Sequence, residues 1–526
     1  MPGASPTSSR KPFWRLTLPG ALAWLLVIFF LWLTGRFWHP YYGFTKFIQI
    51  ESQDAQVMLP ELRDTTIYVY HHAGGYDGSA YAQLAARPAA NDDDLRRAID
   101  SLPYRARRIL LSWVAYALAW GDAVHAAQIY AGLNLVVWLA LAWLLAKLFP
   151  LHHWRGVAGW AGVLFCAGAL HSVRLALTDL AAMALIAASF LAAETKRPNR
   201  ATLCLAAAGL VRETSVLSAG ALWPGLAREN RWTNWLRLAL TLVPLGLWFV
   251  YLKLNTGPVG QGMGNFTWPV IGAIEKIISA CHDLTHIPET WLALTTLLAT
   301  VALLTQLAYF FRRREFANPW WRLGVVYAVL MLCLGEAVWA GHPGAATRIM
   351  LPLTLAFNVL VFRRRESLAW LLLGNLSVLS GLQALWHVPQ DQHELDAGRV
   401  AGGAFVAHLD EQWYQTEHGR GRTWAWTSTD GTLHLRAWPH PEPAQKTSFE
   451  IALRAISPRP LEIKQGERIL WQGEIGVPRT WITLPEISFH VGEATLSFHS
   501  PSPPQRENDS STARALGFAI SGVREK

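Results

Sequence analysis

Apolar runs constrain this chain more than any other feature. Residues 1–390 carry a succession of runs, each roughly 15 to 24 residues long, in which charged side chains are scarce. About 20 apolar residues wound as a helix span the hydrocarbon core of a bilayer. A helix satisfies its own backbone hydrogen bonds, so it can cross lipid where a loop cannot. Residues 395–526 lack such runs and read as ordinary soluble sequence. The chain as a whole is only 16% charged, against about 25% for a soluble domain, and the deficit lies in the first part. The expected architecture is a polytopic α-helical membrane protein of about 10–12 membrane helices. It comprises a cytoplasmic N-terminus over 1–17, a transmembrane domain over 18–390 and a soluble domain over 395–526.

Short basic clusters set the orientation. They fall at Arg10–Arg15, Lys196–Arg200, Arg228–Arg237, Arg312–Arg314 and Arg363–Arg365, each between apolar runs. Cytoplasmic loops concentrate Lys and Arg, so all five are placed inside. Spans are expected near 18–35, 125–148, 156–170, 174–194, 234–253, 290–311, 322–340, 349–362 and 367–386. Residues 36–104 then form a long outer loop. Ile109–Trp120 is too short to cross and reads as an interfacial helix. Residues 201–227, with Arg212 and Glu213 in the middle, read as a hairpin of two short arms. The last span delivers the soluble domain to the outside. In a bacterium this is an inner-membrane protein with a periplasmic C-terminal domain. The first run ends in bulky Trp and Arg instead of a small-residue cleavage site, so a retained first helix is expected.

The net charge of +9 raises nucleic acid as a partner, but the topology accounts for where the cations sit, and nucleic-acid binding is set aside. The 27 tryptophans fit an interfacial aromatic belt at Trp14, Trp38, Trp154, Trp232, Trp320 and Trp321. The cysteines Cys166, Cys204, Cys281 and Cys333 show no metal or disulfide spacing.

The C-terminal domain alternates apolar and polar residues. Phe449, Ile451, Leu453 and Ala455 form one set, Ala494, Leu496 and Phe498 another, and Leu516, Phe518 and Ile520 a third. Period-two alternation marks half-buried strands. Turns at Gln465-Gly466, Val491-Gly492 and Pro501–Ser511 separate them. The expectation is an extracytoplasmic β-sandwich. Trp424, Trp426 and Trp471 are read as exposed, as core or as a carbohydrate platform.

Polar residues with chemical potential gather near the outer face. Gly74 and Gly75 precede Tyr76-Asp77-Gly78-Ser79-Ala80-Tyr81, where the chain turns helical. The plain reading of Asp77 is a helix N-cap. Tyr104, Arg105, Arg107 and Arg108 open the next apolar segment. These arginines either snorkel into headgroups or clamp an anion bidentately. His171, Arg174 and Asp179 lie at another outer boundary, and Glu336, His342 and Arg348 at a third. Arg212 and Glu213 are either a structural pair or part of a cavity. Ionisable groups at membrane depth are costly and face a partner or a cavity. Asp179 at a helix start could serve the helix dipole alone. Together these residues suit a substrate with a charged head and a lipid tail.

The order of these features resembles the GT-C superfamily of membrane glycosyltransferases, which use polyprenyl-phosphate-linked sugars. The resemblance covers roughly 15–390. It rests on a first span, a large outer loop carrying an acid, and many later spans. Tyr76-Asp77-Gly78-x-x-Tyr81 and Tyr104-Arg105-x-x-Arg108-Ile109 are similar to bacterial GT-C-like proteins with a YDG-type loop. The resemblance implies that Asp77 is the catalytic base or a ligand of a divalent metal, Mg or Mn. It implies that Asp179 is the acid such proteins carry at the outer end of a later span. Tyr76, Tyr81, Tyr104, Arg105, Arg108, His171, Arg212, His342 and Arg348 then bind the substrate. The partners implied are a polyprenyl-phosphate sugar, membrane lipids and a cell-envelope acceptor, whether glycan, lipid or protein. His71 and His72 are a further metal option, though adjacent histidines chelate one ion poorly. The chain lacks a W-W-D-type motif, so the resemblance does not extend to transfer onto asparagine. Two other classes compete: a transporter or flippase of a lipid-linked saccharide, and a non-catalytic envelope assembly factor.

Overall fold

The computed structural model describes residues 17–63, 65–70, 74–223, 231–257, 263–400, 403–419, 422–439, 446–507 and 513–526. His71, His72, Trp14 and the Arg10–Arg15 cluster fall outside the described residues. The chain divides into a helical unit and a β unit. The helical unit takes the described residues of Met1–Arg36, Val57–Leu59 and Tyr76–His387. The β unit takes those of Phe37–Gln56, Pro60–Gly75 and Val388–Lys526. The long loop expected over 36–104 is therefore shared: most of its first half belongs with the C-terminal strands, and everything from Tyr76 onward belongs with the helices.

Among the described residues, five helices are long and apolar enough to cross a membrane: Leu18–Gly35, Ala123–Leu148, Trp232–Thr256, Thr290–Arg312 and Leu368–Trp386. A bent pair, Trp154–Leu164 and Ala167–Arg174, makes a sixth if it counts as one span. Pro319–Leu332 and Leu351–Arg363 are apolar but shorter. Local chemistry starts several of them. Thr17 accepts a hydrogen bond from the Gly20 N–H, Asp122 from the His125 N–H, and Asn318 from the Trp320 N–H, each the N-cap role of a short polar side chain.

Three expected spans come out differently. The span drawn over 174–194 begins only at Asp179, because Ala176 adopts φ 49° and the chain turns there. The span drawn over 322–340 stops at Leu332, and a separate turn of helix follows at Glu336–Trp339. Its end is occupied: the Val270 N–H donates to the Leu332 carbonyl and the Thr267 N–H to the Cys333 carbonyl. The 16-residue helix Ile271–His286, absent from the sequence reading, follows that contact. The 349–362 segment is the short Leu351–Arg363 helix. Ile109–Trp120 is the nine-residue helix Leu110–Leu118, and the described part of 201–227, which ends at Trp223, holds two short arms, Pro198–Val211 and Leu217–Leu222. Trp154 and Trp232 are exposed, as a belt requires, but Trp320 and Trp321 are buried. Trp320 instead donates its indole N–H to Glu194.

The β unit is a sandwich of antiparallel sheets. One sheet orders its strands Arg468–Ile475, Arg459–Gln465, Glu493–His499, Asp430–Trp438, Gly403–Leu409, Glu394–Val400. The other runs Thr480–Ser488, Lys446–Ala455, Phe518–Glu525, Arg422–Thr427, Glu417–Gly419. Their inner faces share one core in which Phe449, Ile451, Leu453, Ala494, Leu496, Phe498, Phe518 and Ile520 are all buried. Phe405 and Phe449 meet edge to face across it, centroids 5.3 Å apart. Leu516 leaves the alternation and packs with Trp426 and Ala519 in a smaller cluster, against which Trp424 is half buried. The Arg454 guanidinium lies over both of those tryptophan rings, and Trp471 packs on the main core. These tryptophans are packing residues, not an exposed platform.

The glycines before Tyr76 are explained by the β unit. Gly74 has φ +72°, and a Cβ on Gly75 would sit 2.0 Å from the Asp54 carboxylate. The Ile50–Glu51 and Val69–Tyr70 strands pair in parallel beside them. Tyr41, Tyr42, Tyr68 and Tyr70 from this loop pack with Val406 of the sandwich. The stability of the sandwich should depend on its central layer. Ile451→Ala is expected to cost about 2–5 kcal/mol. Limited proteolysis of the full chain across a urea series should then show the C-terminal strands cleaved at a lower midpoint.

Candidate functional site

Asp77 is the first residue of the Asp77–Ala86 helix, and the residue in the capping position is Tyr76, which makes no side-chain cap. The plain N-cap reading of Asp77 therefore fails. Its carboxylate goes instead to Arg105, with Oδ1 2.6 Å from Nη1. Arg105 closes the short Leu102–Arg105 helix and also grips Asp100, donating from Nε at 3.1 Å and from Nη2 at 2.9 Å. That fork holds the Asp100 carboxyl below the usual carboxylate range. The Asp100 contribution to stability is thus present at neutral pH and fades as pH falls through its lowered pKa. About a quarter of the Asp77 side chain remains exposed.

Asp179 opens the Asp179–Glu194 helix and is 2% exposed. Two guanidinium groups converge on it. Arg212 Nη1 lies 2.5 Å from Oδ1, and Arg348 Nη1 lies 3.6 Å from Oδ2. Arg348 also donates to the Tyr76 hydroxyl at 2.7 Å and stacks over that ring. Burial pushes the Tyr76 phenol up, while the Arg348 charge pulls it the other way. Tyr76 thereby links the Asp179 cluster to Asp77.

The turn before Asp179 is held by polar side chains from the Ala123–Leu148 helix. Asn134 donates to the carbonyls of Ser172 and Leu177 at 2.8 and 2.7 Å, and the Tyr130 hydroxyl donates to the Ala176 carbonyl at 3.0 Å. A break in an apolar bundle frees carbonyls that have no water to bond, so neighbouring helices must supply donors. Here Asn134 and Tyr130 do so, and Asp179 is aimed as a result.

Arg212 and Glu213 do not pair with each other. The backbone is extended at Arg212, between the arms of the hairpin, and throws the two side chains apart. Glu213 takes a two-pronged contact from Arg108, Nε to Oε2 at 2.9 Å and Nη2 to Oε1 at 2.8 Å. The remaining Arg108 Nη1 donates to the Tyr81 hydroxyl at 2.8 Å. Tyr81 is fully buried one helical turn beyond Asp77 on the same helix. The Arg108 fork is filled by Glu213 and Tyr81 of its own chain.

Arg105, Arg108, Arg212 and Arg348 thus meet Asp77, Asp100, Asp179 and Glu213, and Arg107 brings a fifth guanidinium beside them. Tyr104 lies under this network, with the Arg105, Arg107 and Arg108 guanidiniums 5.1 to 5.6 Å from its ring. Its hydroxyl accepts from Asn265 at 3.3 Å. Two of the expected residues are engaged elsewhere. His171 Nδ1 bonds the Ala167 carbonyl within its own helix at 2.9 Å. His342 faces Thr296 at 3.3 Å and Asp283 at 4.0 Å. Asp100, Tyr130 and Asn134 were not singled out from sequence. Asn134 carried a signal, since an amide inside a long apolar run needs a partner.

The Arg108–Glu213 pair is buried and bidentate, the geometry in which removing one partner costs most. Arg108→Met is expected to destabilise the helical unit by about 3–5 kcal/mol by stranding Glu213, and a second substitution, Glu213→Leu, to restore most of that loss. Thermal unfolding of the single and double variants in detergent reads the difference. In comparisons with known proteins, no family model matches the chain and no curated protein matches its sequence.

Proposed function

We propose that the helical unit is a glycosyltransferase of the GT-C kind, which moves a sugar from a polyprenyl-phosphate donor to a cell-envelope acceptor on the outer face of the bacterial inner membrane. On this reading the shorter apolar helices complete a set of ten to twelve membrane segments, with the basic loops inside and the sandwich in the periplasm. One observation carries the proposal. Asp77 stands at the head of a helix with a partly exposed carboxylate that caps nothing, directly beside a buried Tyr76–Arg348–Asp179 cluster. A structural aspartate at a helix start would be spent on backbone N–H groups.

The chemistry assigned to these residues is a single displacement. The acceptor hydroxyl attacks the anomeric carbon, the bond from that carbon to the phosphate oxygen breaks, and the hydroxyl proton passes to Asp77. General-base assistance of this kind is worth about 10²- to 10⁴-fold. The leaving lipid phosphate takes the electron pair, and a guanidinium stabilises the charge that develops there. Arg105 suits this role because it is already shared between two carboxylates and is less deeply buried than Arg348. When a phosphate draws Arg105 toward itself, the Asp77 carboxylate is freed to accept the hydroxyl proton. Donor binding and base activation are thereby coupled.

A divalent Mg or Mn ion at Asp77 is the other role that the resemblance implies. Arg105 occupies the place beside the carboxylate that a metal would need. Among the described residues the cluster with metal-ligand geometry lies elsewhere, at Asp391, Glu394 and His408. The proposed mechanism therefore runs through Asp77 as base.

Asp77→Asn keeps the shape and removes the base. With radiolabelled polyprenyl-phosphate sugars and purified protein, transfer should fall by about 10²-fold or more while membrane insertion and thermal stability are kept. Full activity in that variant would refute the assignment.

A further inference from the structure

The β unit carries a second cluster, remote in sequence from Asp77 and unused by the transfer reaction. Glu394 opens the strand Glu394–Val400 and is the direct cross-strand partner of His408 on Gly403–Leu409. Directly opposed residues on an antiparallel pair hold their Cβ atoms about 5 Å apart. Asp391 lies three residues before Glu394. One ligand atom from each of Asp391, Glu394 and His408 falls within 4.8 Å of the other two.

Each of these side chains has one polar atom fixed by a neighbour and one left over. The Asp391 Oδ1 accepts from the His393 N–H at 2.8 Å. The Glu394 Oε1 faces His39 Nε2 at 2.7 Å. The Nδ1 of His39 accepts from the N–H groups of Tyr41 and Tyr42, so its proton sits on Nε2 and is donated to Glu394. The Nε2 of His408 is bonded to the Tyr42 hydroxyl at 2.7 Å. What remains is Asp391 Oδ2, Glu394 Oε2 and His408 Nδ1. The Asp391 Oδ2 and His408 Nδ1 lie 3.7 Å apart, too far for a hydrogen bond. The Glu394 Oε2 is shut off from solvent and has no hydrogen-bond partner.

A buried carboxylate oxygen without a partner is costly, and the Glu394 Oε2 is such an oxygen in a cluster whose three residues each offer a ligand atom within 4.8 Å of the others. Lys46 supplies part of the compensating charge, but its ammonium donates to the Pro389 carbonyl at 3.3 Å and rests over the Tyr68 ring. We propose that Asp391, Glu394 and His408 bind a zinc-class divalent cation, with His39 and Tyr42 as the residues that orient two of the ligands. One imidazole and two carboxylates are a ligand set that zinc takes at about 2.0–2.2 Å, leaving a fourth position for water. Orienting hydrogen bonds of the His39 and Tyr42 kind are the usual companions of metal ligands. The bound ion would fasten residues 39–42 to the edge of the sandwich, since both orienting side chains come from that loop.

The test uses the full chain in detergent, stripped with a chelator and dialysed against zinc, with bound metal measured by atomic spectrometry. Wild type is expected to hold about one equivalent and to melt at a higher temperature with zinc than after chelation. Asp391→Asn and His408→Gln should each weaken binding at least tenfold, and His39→Gln, which alters only an orienting residue, by about 10- to 100-fold. His434→Gln, on another strand of the same sheet and paired with Glu493, should bind as wild type. If a ligand variant does not fold, the His39→Gln titration decides. Stoichiometry well below one in the wild type, or undiminished zinc in the His39→Gln and Asp391→Asn variants, would overturn the proposal.

Discussion

The buried carboxylate of Asp179 organises the helical unit. It is nearly inaccessible, it stands at the start of a helix, and it is reached by guanidinium groups from two separate parts of the chain. A lone charge at that depth is expensive, and pairing is what makes it tolerable. Arg212 reaches it from the apex of a two-armed hairpin, and Arg348 from the short helix Ala346–Ile349. Neither arginine could be placed without the carboxylate, and the carboxylate would not be buried without them. The Tyr76 hydroxyl is held only because Arg348 is already fixed, and Asp77 is the next residue in the chain.

Broken helices are the means by which such groups are brought inward. Each break frees backbone carbonyls, and at two of them the described bundle answers with side chains from another helix. Asn134 and Tyr130 serve the break before Asp179. At a second break, inside Leu368–Trp386, Gln306 donates to the Gly374 carbonyl while Asn358 and Asn375 bond each other. Thr354 in turn donates to Gln306. Without water these amides are the donors and acceptors that the lipid interior lacks. They account for polar residues in runs that hydropathy alone would treat as uniform spans.

Much of this was legible in the sequence, for a physical reason in each case. Strand alternation in the β unit is a local signal, and it identified Phe449, Ile451, Leu496 and Phe518 as core. Run length marked the five long helices, because length and apolarity are what spanning requires. The hairpin at 201–227 was visible because Arg212 and Glu213 cannot sit mid-span. What failed was everything set by partners distant in the chain. Adjacent Arg212 and Glu213 looked like a pair, yet the extended backbone at Arg212 sends them to Asp179 and Arg108. Asp77 looked like a cap because its partner, Arg105, is 28 residues away. Trp320 looked interfacial because Glu194, 126 residues distant, is invisible to a local pattern. The helix break at Ala176 carried no proline or glycine, and the Asn134 and Tyr130 side chains that bond its carbonyls lie on another helix.

The balance of charge at the site limits the chemistry it could support. Arg105, Arg108, Arg212 and Arg348 are each ion-paired with a carboxylate, although neither Asp179 oxygen has a hydrogen-bond partner. A phosphate can enter only by exchanging partners with a carboxylate, and that exchange costs least where the pair is partly solvated. Arg348 and Arg212 are committed to a carboxylate that water does not reach, and Arg108 has filled its fork with Glu213 and Tyr81. Arg105 differs, because both its carboxylate partners retain solvent contact and can be rehydrated when it is drawn away. The residue able to exchange is therefore the one bonded to Asp77. In the proposed reaction, the donor phosphate that draws Arg105 away is thus also the group that frees Asp77.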